Sequence, residues 1–223
     1  MIFLPVLMAL AVPQAPIDKG ARAFYFAYGN CVVKGQEKRA ADAIQSNVDD
    51  TRFLKRYPTL ADGGCLKMRQ GTWGFFSVQA DKVRYAVADA LVRTEFPIPG
   101  NLNFSSVAPL DHGPALTEPE KVRPNGKPVN KDIYAKAVAE YRLKFGARLW
   151  SKIGECVVRQ EPLTAHALLM SQPNTSEEDA QFSKLKAALA TCLPESDALQ
   201  LQELPLRGTI AVNFYRLAKG AAR

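Results

Sequence analysis

One short run occurs twice in this chain, and it constrains the fold more than any other feature. Gly29-Asn30-Cys31-Val32-Val33-Lys34 reads almost the same as Gly154-Glu155-Cys156-Val157-Val158-Arg159. Gly20-Ala21-Arg22 precedes the first run and Gly146-Ala147-Arg148 the second. Gln36-Glu37 and Gln160-Glu161 follow, and the apolar stretch from Ala40 to Ser46 lies over Ala165 to Ser171. A second cysteine, each time before leucine, comes later in both halves: Cys65-Leu66 and Cys192-Leu193. A third block runs from Arg84 to Arg93 and again from Arg207 to Arg216, with Ala88 over Ala211. Three blocks in one order point to an internal duplication, in which each copy is a supersecondary unit that buries its apolar face against its neighbour.

The periodicity of those units is helical. Tyr134, Val138, Tyr141, Phe145 and Leu149 fall on one face of a long helix leading into Cys156. Thr175 followed by Glu178 reads as a capping box opening a helix whose apolar face includes Phe182, Leu185 and Leu189. Gly220 can end the last helix. The segment Gly71 to Val78, with Trp73, Phe75 and Phe76, has no counterpart in the second half and reads as a short strand or an aromatic plug. Residues 97–132 hold seven of the fifteen prolines, so no continuous helix can pass through them. The expected fold is mainly α: two similar disulfide-clamped helical units, at 16–96 and 133–223, joined by a proline-rich connector at 97–132.

Residues 1–15 read as a signal peptide. They are apolar from Ile2 to Val12, too short to span a bilayer, and Ala9-Leu10-Ala11 offers a small-x-small cleavage site after Ala11. No basic residue precedes the apolar run, and the alternative is a buried N-terminal strand or helix start. No other stretch is long enough for a membrane helix. Export places four cysteines in an oxidising compartment, where they read as two disulfides. Three pairings are open, and all respect a two-fold relation. Cys31–Cys65 and Cys156–Cys192 is the expected one, because a small unit benefits most from its own staple. Zinc or redox chemistry would require close Cys-x-x-Cys pairs, which the chain lacks.

The formal net charge is +7. Residues 16–117 carry 13 Lys and Arg against 10 Asp and Glu, and residues 133–223 carry 12 against 9. An even spread without a basic arm does not suit a dedicated nucleic-acid binder, but the surplus favours anionic envelope components. Basic positions recur in both halves: Arg22 and Arg148, Lys34 and Arg159, Arg84 and Arg207, Arg93 and Arg216. They suit carboxylate partners inside each unit or two equivalent anion sites. Arg22, Arg148, Arg84 and Arg207 are candidate anion-binding residues, together with Lys144 and Lys152, which continue a stripe through Arg148.

Catalytic signals are weak. No G-x-S-x-G, H-E-x-x-H, Walker A or G-x-G-x-x-G pattern is present, so no catalytic residue, metal or cofactor is assigned. His112 lies in Asp111-His112-Gly113-Pro114, which reads as a turn, and His166 sits in an apolar helical stretch as a structural residue. Glu37 and Glu161 correspond between the halves and suit helix dipoles better than acid–base work. Asn103-Phe104-Ser105 and Asn174-Thr175-Ser176 match the glycosylation triplet. The sequence therefore leads to an exported, secreted or periplasmic, non-catalytic binding or structural protein of the cell envelope. The alternatives are a binder of phosphorylated lipid or acidic glycan, and an enzyme whose site would start from Asp111-His112 or Glu37/Glu161.

Overall fold

A computed structural model describes residues 19–46, 52–66, 79–100, 102–122, 126–193 and 203–222. Residues 1–15, read from the sequence as a signal peptide, and the Trp73 segment lie outside them. The described residues form helices α1 (Lys19–Gln45), α2 (Phe53–Arg56), α3 (Gly63–Leu66), α4 (Ala80–Glu95), α5 (Lys131–Gln160), α6 (Pro162–Met170), α7 (Ser176–Cys192) and α8 (Glu203–Ala221). Among them there is no strand, only an isolated antiparallel bridge between Val122 and Pro128.

Three helix pairings organise the fold. α4 packs along α1 and also along α8, and α5 packs along α8. The buried residues form one continuous apolar core drawn from both halves: Tyr28, Val32 and Val33 with Val87 and Leu91 on one side, Ile153, Val157 and Val158 with Ile210 and Phe214 on the other. The chain is therefore held by one shared core. Disulfides Cys31–Cys65 and Cys156–Cys192 each close a loop within one half.

Local features recur in step. The fifth residue after each first cysteine leaves helical geometry: Gln36 at φ −143°, ψ 38° and Glu161 at φ −129°, ψ 59°. Pro162 explains the second break, because a residue before proline is pushed out of the α region. Gly35 weakens the helix at the first break, and Gln36 Nε2 donates to the Thr59 carbonyl at 2.9 Å. Ser46 and Ser171 then end the next helical segments, donating through Oγ to Ala43 and Leu168 carbonyls, both at 2.6 Å. Gly29 and Gly154 sit where helices touch. A methyl group at Gly29 would stand 2.1 Å from the Ala86 carbonyl oxygen, and one at Gly154 2.8 Å from that of Thr209. Ala86 and Thr209 are each the second residue after the corresponding arginine, Arg84 or Arg207.

Residues 102–122 run as an ordered strap over α5, tied by side chains rather than by regular structure. Arg159 donates to the Phe104, Val107 and Ala108 carbonyls, and Arg216 to that of Asp111. Asn130 caps α5 by accepting from the Asp132 and Ile133 amides. The apolar stripe expected to lead α5 into the core does not enter it. Tyr134, Val138 and Tyr141 are half-buried and Phe145 is 46% exposed, whereas the core face of α5 begins at Ile153. Periodicity identifies an apolar face without saying whether the body reaches far enough to cover it.

Candidate functional site

Two clusters of polar side chains stand out. The first is a buried ion network joining the halves. Arg207 on α8 grips the Asp89 carboxylate of α4 with two nitrogens, both at 3.2 Å, and Glu178 of α7 at 3.0 Å. It also donates to the Ser171 and Leu169 carbonyls at 2.9 and 3.1 Å. Glu178, with no exposed surface, is ion-paired with Arg22 of α1 at 2.5 Å and accepts from the Asn174 amide at 2.8 Å. Asp89 accepts in addition from Arg93 at 2.8 Å, and the Arg93 guanidinium lies over the Phe26 ring. Burial alone would push the Arg207 pKa down. The Asp89 and Glu178 carboxylates outweigh it and hold the group above its ordinary value. A cleft beside the network is lined by Arg22, Tyr25, Phe26, Asp89 and Arg207.

The second cluster pins the strap. His112 lies between two α5 residues one turn apart, its Nδ1 at 2.9 Å from Ser151 Oγ and its Nε2 at 2.6 Å from Glu155 Oε2. Both ring nitrogens are satisfied when Nε2 donates to the carboxylate and Nδ1 accepts from the hydroxyl. Those are the roles of base and orienting carboxylate beside a serine nucleophile. Ser151, however, is mid-helix, where the neighbouring amides are committed to the helical ladder and offer no oxyanion donors. Glu155 is also tied up elsewhere, accepting from the Leu110 amide at 3.0 Å and from Arg159 at 2.8 Å. Burial pushes the Glu155 pKa up. The bonds from Leu110, Arg159 and His112 outweigh it and leave the group below the usual carboxylate range. The geometry is that of a clasp.

The six candidate anion-binding residues fall into separate places. Arg22 and Arg207 meet at Glu178, and Arg84 is buried with its guanidinium 6.0 Å from the Phe53 ring centre. Lys144, Arg148 and Lys152 lie on α5. Lys144 bonds Glu140 at 2.7 Å, and Arg148 lies beside Gly113 of the strap. Asp89, Glu178, Ser151 and Glu155 were not singled out as site residues by sequence reasoning. Asp89 carried a signal: it is the one charge in the apolar run from Tyr85 to Val92. Glu178 was assigned to a capping box. Thr175 does accept from the Glu178 amide, but the carboxylate turns to Asn174 and the arginines instead. His166 is buried and bonds the Phe96 carbonyl at 2.8 Å, a structural role. Asn103 closes a local turn by accepting from Ser105, and Asn174 spans to the Lys19 carbonyl.

Beyond these clusters the first turns of α5 project from the core with exposed apolar and basic side chains. Ile133 is 58% exposed and Leu143 65%. Among the described residues no group of side chains could hold a metal ion, and no helix is long and apolar enough to cross a membrane. No protein family, no curated protein and no solved structure matches this chain.

Proposed function

We propose that this chain is an exported, non-catalytic binding protein of the cell envelope, built by duplication of one disulfide-clamped helical unit and joined by the proline-rich strap. The observation that carries the reading is the pair of disulfides, each closing a loop of similar length, 34 and 36 residues apart, within its own half. Such bonds persist in oxidising compartments. The recurring helix breaks at Gln36 and Glu161, the capping serines and the contact glycines support a common origin for the halves. A binding role is supported by the fate of the reactive groups: the buried Arg22 and Arg207 are matched to carboxylates, and His112 is spent on the strap.

The test is localisation in the native host, with mass spectrometry of the mature chain. The expected result is a processed protein beginning at Val12, outside the cytoplasm, with both disulfides formed. An unprocessed cytoplasmic chain with four free thiols would overturn the proposal. A second reading, binding of anionic envelope material, is favoured by the basic and aromatic first half of α5. It requires binding to anionic surfaces that weakens steeply with salt.

A further inference from the structure

We infer that the projecting first half of α5, from Lys131 to Lys152, is a docking face for an anionic lipid surface. The inference rests on the second reading above and names its partner and its place. On the pairing of Gly20 with Gly146, the counterpart of Lys19, where α1 begins, is Phe145, so the turns of α5 before it have no described equivalent.

Three observations favour lipid. The stretch carries Lys131, Lys136, Arg142, Lys144, Arg148 and Lys152 against Asp132 and Glu140, a surplus of positive charge matched to an anionic surface. Three of its aromatic side chains form a line: Tyr134, Tyr141 and Phe145 share one face, and the Tyr141 and Phe145 rings stack at 5.9 Å. Arg142 borders that face on one side and Lys144 on the other. Tyrosines with an apolar body and a polar tip, beside lysines that extend along apolar surface, make up an interfacial belt. A protein socket selects differently, because charged residues and lysine in particular are depleted at protein–protein contacts. Phe145 on that face is 46% exposed, while α5 is not apolar enough to span a bilayer. A helix of this kind lies in the headgroup region with its apolar side chains inserted.

The experiment is sedimentation of the full oxidised chain with vesicles of phosphatidylcholine alone, and of equal parts phosphatidylcholine and phosphatidylglycerol. Heparin and polyglutamate serve as non-lipid anions. The expected result is binding to the mixed vesicles only, weakened about fivefold by each of Arg142→Gln and Lys144→Gln. Phe145→Ser should weaken it about tenfold without moving the thermal unfolding midpoint, since its side chain is not in the core. If no anionic material binds at low salt, both the second reading and this inference fail. If vesicles bind but these three variants bind like the parent, the second reading stands and this inference fails. Equal binding to heparin, unaffected by Phe145→Ser, would also overturn it by making the contact one of charge alone.

Discussion

Replacing Glu178 by glutamine isolates the charge of the ion network that joins the halves. Glutamine keeps the shape of the side chain and one carbonyl acceptor, so no cavity forms. Two buried guanidiniums, Arg22 at 2.5 Å and Arg207 at 3.0 Å, would lose their shared anion. Arg22, Arg93 and Arg207 would then face Asp89 as the one remaining carboxylate of the network. Removing one partner from a buried pair costs about 3–5 kcal/mol, because the other charge stays desolvated. For a chain of this size that lowers the unfolding midpoint by roughly 6–20 °C. Thermal and urea unfolding at neutral pH, followed by circular dichroism, measure it directly. The network should also be non-additive: with Arg22→Met already in place, Glu178→Gln should cost less by about 0.5–3 kcal/mol. A Glu178→Gln midpoint within about 2 °C of the parent, or strict additivity with Arg22→Met, would refute the argument that this carboxylate holds the halves together.

Two further outcomes follow from packing and from the strap. Gly29→Ala and Gly154→Ala should each destabilise by about 1–3 kcal/mol or more, since the added methyl meets backbone oxygen that cannot give way; Gly35→Ala, with open space around it, should be neutral or stabilising, and urea midpoints rank the three. Glu155 has a folded pKa below its unfolded value of about 4.3, so its contribution is complete above that value and is lost as the pH falls through the folded one. Protection from hydrogen exchange across residues 102–115, taken relative to the intrinsic amide rates, should therefore fall on acidification, and Glu155→Gln should lower it already at neutral pH; unchanged protection in that variant would sink the clasp.

The helical class and the two disulfides were legible because each rests on local pattern. The spacing of Phe182, Leu185 and Leu189 predicts a helical face, and Leu185 and Leu189 are indeed buried. Four cysteines far apart in sequence leave little besides bonding to one another. What was not legible depends on where elements end up relative to the body. The stripe from Tyr134 to Phe145 has the period of a core face, yet the core ends before it. His112 reads as a turn residue because its partners, Ser151 and Glu155, belong to a helix some forty residues on, at separations of 39 and 43. Glu178 fits a capping box by spacing alone, and only the approach of α1 and α8 shows what its carboxylate balances.

On the duplication reading, the contact between α4 and α8 explains why the two halves need not stay alike. Gly208 packs against Tyr85, where an added methyl would stand 2.2 Å from the ring carbon Cγ. Tyr85 follows Arg84 as Gly208 follows Arg207, so on the duplication reading these residues are counterparts touching each other. A contact between counterparts lies where a two-fold axis would pass, and two tyrosines cannot occupy it. One copy must supply the ring and the other the space. The same asymmetry marks the ion network: Asp89, the partner of Arg207, corresponds to Val212, which leaves Arg84 a different environment beside Phe53. Divergence at these two places makes the pairing of unlike halves better packed and better neutralised than a pairing of like ones. A surface that, among the described residues, only the second half carries, such as the first turns of α5, is then presented in one orientation.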